Sequence, residues 1–141
     1  MNIEQAQPYR DKIIMLLTAV NLAIADLPET MDNFIAAIQD GILVGVIGLE
    51  VYGNYGLIRS LAVNPKYRRS GIADKLLTHL ENVSTQTGLS DLYLFTETAA
   101  AYFKQKNYIT ITRNNVPKAV RQASQFSHVC PLTAIVMKKK L

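Results

Sequence analysis

The chain has 141 residues, 49% of them hydrophobic, with 15 Lys or Arg against 11 Asp or Glu and a formal net charge of +4. This length and composition suit one domain with a real apolar core. No apolar run approaches the ~18 residues of a spanning helix, the residues after Met1 lack the basic-then-apolar order of a signal peptide, and the one cysteine excludes an internal disulfide. A reducing cytoplasm is therefore the expected compartment. Part of the positive charge is the tail Lys138-Lys139-Lys140, read as a solvated end. Basic and aromatic residues do not interleave as in a single-strand binder, so neither nucleic acid nor membrane is an expected partner.

In chain order, residues 2–6 suit a short first strand. Residues 9–25 read as a helix, because Ile13, Leu16, Leu17, Val20 and Ile24 share a face and Leu27-Pro28 ends it. Residues 33–40 and 42–51 read as a hairpin, with Asp40-Gly41 as its turn. Gly45 and Gly48 leave room for another backbone to approach the second strand. Gly53-Asn54-Tyr55-Gly56 reads as a further turn.

Leu57, Ile58, Leu61, Ala62 and Val63 then form a central strand that carries polar Arg59 and Ser60 and stops at Pro65. After a basic turn, Ile72, Leu76, Leu80 and Val83 recur at helical spacing, with Ala73, Leu77, Ser84 and Thr87 beside them, up to Gly88. Residues 91–95 read as a strand, parallel to the first across a right-handed crossover. A short helix over 98–105, capped by Thr96 or Thr98, precedes a strand over 108–113. A helix or turn at 117–123 and a last strand at 134–138 complete the chain.

The chemistry lies in the basic turn. The positive end of a helix, a glycine that lets backbone approach, and Lys66, Arg68, Arg69 and Ser70 together suit a phosphate. A solvated, capped helix start remains the other reading. Neither a Walker A loop nor the G-x-G-x-x-G fingerprint is present.

Arg68-Arg69-Ser70-Gly71-Ile72-Ala73 resembles motif A (Q/R-x-x-G-x-G/A) of the GNAT acetyltransferases, and the flanking strand and helix sit where that family has them. The resemblance covers nearly the whole chain. Arg59-Ser60-Leu61-Ala62-Val63, Thr96-Glu97-Thr98-Ala99 and Cys130-Pro131 also resemble a branch found in bacterial arsenic-resistance gene clusters. The resemblance implies an α/β (α+β) GNAT fold: a mixed sheet of six to seven strands flanked by helices, with splayed central parallel strands. It implies acetyl-CoA as co-substrate, no metal, and a single domain over 1–141. The cofactor would meet the backbone of Leu61, Ala62 and Val63, the loop Arg68, Arg69, Ser70, Gly71, Ile72 and Ala73, and, further on, Thr96 and Phe103.

That last pair follows from the family pattern N-x-x-A-x-x-x-Y-x-x-x-G-F. It places Thr96 at the Asn, Ala99 at the Ala, Phe103 at the Tyr, Asn107 at the Gly and Tyr108 at the Phe. Phe103 has no proton to donate to a departing thiolate. Glu50 and Glu97 are the candidate bases. Their other readings are a solvent-facing strand residue and a charge in the first turn of a helix. Cys130, two residues from His128, is a candidate nucleophile or an inert cysteine. Arg59 needs a partner: Glu50, Glu97, or, slightly preferred, a substrate carboxylate that Arg113 also meets. The family's first helices border the acceptor pocket, so Met15 and Met31 are either pocket wall or core.

The expected function is acetyl transfer to a small amine by direct attack, with a detoxifying or arsenic-resistance role. The alternatives are a weak acetyl-CoA-binding or regulatory module and a protein lysine or N-terminal acetyltransferase. A homodimer through the C-terminal strands is also expected.

Overall fold

The structure, a computed structural model, describes residues 1–122 and 134–141. Its strands are β1 (Asn2–Gln5), β2 (Phe34–Gln39), β3 (Ile42–Tyr52), β4 (Tyr55–Val63), β5 (Asp91–Thr96), β6 (Ile109–Ile111) and β7 (Ile135–Lys140). Its helices are α1 (Arg10–Ala19), α2 (Ile72–Gln86), α3 (Ala100–Gln105) and α4 (Lys118–Arg121). The strands form one mixed sheet in the order β1-β2-β3-β4-β5-β7-β6. β4 and β5 run parallel, while the β1–β2, β2–β3, β5–β7 and β6–β7 pairs are antiparallel. The chain divides into two compact units, 1–49 with 59–83 and 50–58 with 84–141.

In the first unit, Ile13, Leu16 and Leu17 of α1 pack with Phe34, Ala36 and Ile38 of β2, Leu43 and Val46 of β3, and Ala62 of β4. Each large side chain buried this way contributes about 1.5–3 kcal/mol relative to exposure. The hairpin turn is as expected: Asp40 and Gly41 have φ of 52° and 76°, the two positive values a tight two-residue hairpin requires. The register then shifts between Ala37 and Ile38, leaving Val44 as the extra residue. The Val44 carbonyl accepts from the Asn64 amide at 2.8 Å.

The neighbours of Gly45 and Gly48 are mainly side chains rather than a second backbone. A Cβ on Gly48 would fall 2.5 Å from Phe34, and one on Gly45 would fall 2.9 Å from Ile72, 3.0 Å from Leu76 and 3.2 Å from the Ala62 carbonyl oxygen. Helix α2 is thus seated on β3 at a point without a side chain.

Helix α1 ends six residues before the expected stop. Asn21 takes φ 61°, its amide donates to the Thr18 carbonyl at 3.1 Å, and the Leu22 amide donates to the Leu17 carbonyl at 2.9 Å. This is a Schellman ending with Asn in the left-handed position. Ile24 is consequently outside the helix and 40% exposed. Helix α2 ends the same way at Gly88 and α3 at Asn107, with φ of 90° and 72°. In each case the following amide, of Leu89 or Tyr108, reaches back to Ser84 or Phe103. On α2 the core face is Ile72, Leu76, Leu77, Leu80 and Ser84, while Val83 is exposed.

In the second unit, Leu57, Tyr93, Val116, Val120 and Val136 form the core, with Tyr52, Tyr55, Phe95 and Ile111 packed on it. The expected turn at 53–56 is shorter. Tyr55 and Gly56 already pair with Asp91 and Leu92, and Leu57 with Tyr93. The lysine tail is not a loose end: Lys138, Lys139 and Lys140 pair in register with Tyr93, Leu92 and Asp91. The Lys138 ammonium lies 3.6 Å from Asp91 and 5.9 Å from the Tyr93 ring centre, and Lys139 lies 5.5 Å from that of Tyr108. Aliphatic stems let lysines run along a sheet with their charge over an aromatic face.

Candidate active site

In the first unit, the end of β4 leads into a tight basic corner. The Asn64 side-chain oxygen accepts from the Lys66 amide at 3.0 Å, and the Tyr67 amide donates to the Asn64 carbonyl at 2.8 Å. Pro65 opens the 3-10 turn Pro65–Tyr67. The Ser70 hydroxyl donates back to the Tyr67 carbonyl, which folds the loop on itself. Arg69 and Gly71 both have positive φ, 66° and 79°. The Lys75 amide donates to the Gly71 carbonyl at 3.1 Å, so Gly71 is the last residue before the helical ladder. The amides at the start of α2 have no intrahelical acceptor and sit at the positive end of its dipole.

A Cβ at Gly71 would meet nothing within 4 Å. The space in front of the helix is open, and the positive φ rather than crowding is what requires glycine there. Lys66, Arg68, Arg69 and Ser70 are all exposed around it. An open helix N-terminus ringed by three cations fits a pyrophosphate. Before the corner, Ala62 is buried while Leu61 and Val63 are half-buried.

The structure gives Arg59 a carboxylate partner in Asp26. Its guanidinium finds its carboxylate in Asp26: Nη1 donates to Oδ2 at 3.0 Å and to the Asp26 carbonyl at 3.3 Å, and Nη2 donates to Oδ1 at 2.8 Å. Nε donates to Ser60 Oγ at 3.1 Å, and the Phe34 ring centre lies 5.9 Å away. The two side chains are only 1% and 9% exposed. A guanidinium fork that meets a carboxylate in this way forms a buried ion pair. Breaking a buried pair on one side typically costs about 3–5 kcal/mol. Ser60, the next residue, sits in the left-handed region at φ 59° inside β4, which costs a non-glycine residue about 1–2 kcal/mol. Nothing around Asp26 in the sequence singles it out. Only the fold brings it across 33 positions to Arg59.

In the second unit, Glu50 is half-buried on β3 and accepts a hydrogen bond from the Tyr52 hydroxyl two residues on. Both side chains leave the same face of the strand. The Arg113 guanidinium lies 6.0 Å from the Phe95 ring centre. Glu97 is exposed. Thr96 accepts from the Ala99 amide at 2.9 Å, so it turns the chain toward α3 although Ala99 is the residue that precedes the helix. Phe103 is 5% exposed and stacks edge-on against Tyr102 and Tyr108 at 5.2 and 5.4 Å. Its ring belongs to the packing under α3. Tyr102 is half-buried with Lys106 5.6 Å from its ring centre.

Cys130, its neighbour Pro131, and His128 lie outside the described residues. Of the two methionines weighed as pocket wall, Met31 is 1% exposed core and Met15 is 70% exposed. Among the described residues no three His, Cys, Asp or Glu side chains cluster as a metal site, and no helix is long and apolar enough to cross a membrane.

A seven-stranded mixed sheet, with a left-handed basic corner between its central strand and an open helix N-terminus, defines the GNAT fold. The acetyltransferase (GNAT) family model matches residues 6–107, and the chain belongs to that family. It is 28% identical over 95 residues to an amino-acid acetyltransferase of Pseudomonas putida KT2440, and 26% identical to that of Pseudomonas syringae pv. tomato. Each match covers 66% of this chain and 22% of the relative, so the chain spans about a fifth of the length of these curated relatives.

Among solved structures it superposes on N-acetylglutamate synthase from Neisseria gonorrhoeae complexed with coenzyme A and N-acetyl-glutamate. The TM-score is 0.82 at 20% identity, covering 99% of this chain and 35% of that one. It also superposes on Rv2747 from Mycobacterium tuberculosis in complex with CoA and NLQ, with a TM-score of 0.84 at 21% identity over 100% and 99% of the two chains. These likenesses establish the fold.

Proposed function

We propose that the chain, working as a single domain, transfers the acetyl group of acetyl-CoA to the amine of a small amino-acid-like acceptor. The observation that carries this reading is the corner at Arg68–Ala73, where a positive-φ glycine facing open space and exposed cations precede the start of a helix. There the corner holds the pyrophosphate, and the backbone of Leu61, Ala62 and Val63 runs along the pantetheine arm. The amide that follows the left-handed Ser60 supports negative charge developing on the thioester oxygen. Glu50, oriented by Tyr52, takes the proton from the attacking amine. Glu97 is the alternative base. Arg113 over Phe95 meets the acceptor's carboxylate, together with Arg59. Cys130 has no required part in direct attack.

The amino-acid reading is supported by the names of the Pseudomonas relatives. A detoxifying role, including one toward organoarsenicals, falls within it when the acceptor is an amino-acid analogue. The exposed Ile109 on β6 supports a dimer through the C-terminal strands. A catalytically weak acetyl-CoA-binding module is favoured by one observation, the buried Phe103 in place of a tyrosine acid.

Calorimetric titration of acetyl-CoA into wild type and Gly71→Glu tests the foundation. A carboxylate in the corner is expected to abolish binding. A folded wild type that binds no acetyl-CoA would refute the reading. A binder that acetylates no amine in a panel of amino acids, polyamines and lysine peptides would favour the weak module, and transfer to lysine peptides alone would favour a protein acetyltransferase.

A further inference from the structure

We propose that a cavity of about 270 Å³ in the first unit, between α2 and the edge strand β1, is a ligand site for a small organic cation with an apolar body. Its walls share no residue with the basic corner, and the inference does not rest on the acetyltransferase reading.

The cavity follows from the width of one helix. On this face of the sheet Gly45 receives Ile72 and Leu76, which seats α2 over β3. A helix about 10 Å across covers about two strands spaced ~4.8 Å apart. β1 is the outermost strand, two places from β3, and lies beyond that cover. Gln5 on β1 pairs with Ile35 on β2, and Ile35 pairs with Ile47 on β3. Paired residues share a face, so Ile35 and, by alternation, Leu49 turn toward the gap beside α2. The helix supplies the other wall. Val83 falls on the apolar stripe of α2 by spacing, yet it is 37% exposed, whereas Leu80 is 1% exposed. Both line the cavity, so Val83 gives its apolar surface to that wall. About 150 Å³ is enough for a benzene ring, and about 270 Å³ has room for a ring and a short chain.

The charge around the cavity selects the sign of its ligand. Glu4 and Asp32 line it and no lysine or arginine does, in a chain of net charge +4. Glu4 is half-buried and Asp32 exposed. The Tyr9 hydroxyl donates to Glu4 Oε1 at 2.9 Å, and the Thr30 hydroxyl donates to Asp32 Oδ2 at 3.1 Å. A carboxylate accepts up to about four hydrogen bonds, so each keeps capacity for an ammonium group. A cleft lined by one sign of charge concentrates the opposite ion. His79 is also on the wall, but among the described residues no three His, Cys, Asp or Glu side chains cluster as a metal site. Carboxylates spread around an apolar floor suit an ammonium on a hydrocarbon body better than a bare metal ion.

The probe is phenethylamine, with phenethyl alcohol and hydrocinnamate as its neutral and anionic counterparts. Each is titrated by calorimetry into the full chain as wild type, Asp32→Asn, Glu4→Gln and Val83→Lys, and the amine is mapped by backbone amide NMR shifts. Phenethylamine is expected to bind wild type with a Kd of about 1 mM, about 10-fold tighter than the alcohol, while hydrocinnamate does not bind. The shifts are expected to centre on residues 3–5, 32–35 and 79–83. Asp32→Asn and Glu4→Gln each keep the shape and remove a charge. Each should weaken the amine by about 3-fold or more and leave the alcohol unchanged. Val83→Lys places a cation on the wall at an exposed position and should abolish amine binding.

Equal affinity for the amine and hydrocinnamate would overturn the site, as would amine binding unchanged in both charge-removing variants. Wild-type amine affinity in Val83→Lys would overturn it too. Shift changes confined to Glu50, Tyr52 and Arg113 would place the amine with the acceptor instead and equally refute the proposal. If one charge-removing variant does not fold, the other decides. Every readout is binding, so a chain that transfers no acetyl group would count against the acetyltransferase reading and leave this test standing.

Discussion

Gly45 offers a direct measure of how closely α2 is pressed onto the sheet. In Gly45→Ala the new Cβ would lie 2.9 Å from Ile72 Cγ2, 3.0 Å from Leu76 Cδ1 and 3.2 Å from the Ala62 carbonyl oxygen. Side-chain ends can yield a few tenths of an ångström. The carbonyl of β4 yields only if the strand moves. Overpacking of this kind costs about 1–3 kcal/mol. Replacing a strand glycine returns about 0.5–1 kcal/mol through the unfolded state. The expected net effect is a destabilisation of about 1–2 kcal/mol, read as a lower urea midpoint at unchanged slope. Because Ile72 opens α2, acetyl-CoA affinity should fall as well. In a double-mutant cycle, Ile72→Ala removes the nearest obstacle, so Gly45→Ala should cost less in that background by about 1 kcal/mol. A neutral or stabilising Gly45→Ala, or strict additivity with Ile72→Ala, would refute the close seating.

Glu50→Gln should lower kcat by about 10²–10⁴-fold with acetyl-CoA binding intact, and equal activity would move the base to Glu97. Arg113→Ala should raise KM for carboxylate-bearing acceptors by about 10-fold or more while sparing simple amines. Asn21→Gly should raise the melting temperature slightly, since glycine accepts φ 61° without penalty, and Asn21→Val should lower it by several degrees. The Tyr93 hydroxyl is pushed up to about 12 from 10.0, first by burial and then by Asp91 and Tyr55. Between those pH values the unfolded chain releases that proton and the folded chain keeps it, so stability falls as pH rises through the window. Tyr93→Phe should flatten that alkaline loss in pH-dependent urea titrations.

Periodicity made the elements legible wherever a local rule governed them. The Asp40-Gly41 turn, the stop at Pro65, and the strand, corner and helix from Leu57 to Gly88 all follow from nearest-neighbour chemistry, and the structure has them. Residues that obey two rules at once were harder. Asn21 ends α1 in the left-handed position, whereas the apolar spacing through Ile24 points past it. Lys138 to Lys140 look like a tail by charge, and are a strand because Tyr93 and Tyr108 lie beneath the ammonium groups.

At the candidate site, the basic corner was legible in the sequence because its parts lie within the eight residues from Lys66 to Ala73. The pairing of Arg59 with Asp26 was not, since Asp26 reaches it only through the fold. The pairing of Tyr52 with Glu50 was within reach, as residues two apart on a strand share a face.

The strand order carries a consequence for how the chain assembles. β7 comes after every other described strand, yet it lies between β5 and β6 and gives each its antiparallel partner. The Leu141 amide then closes on the Ser90 carbonyl at 2.9 Å, beside the start of β5. Until residues 135–140 leave the ribosome, β5 has one open edge and β6 has no partner strand among the described residues. During synthesis, β1, β2 and β3 can zip up early, whereas the second unit must wait for its final six-residue strand. A nascent chain would expose the apolar edge of β5 through that interval, which makes it a natural place for a chaperone to engage or for a stalled product to aggregate.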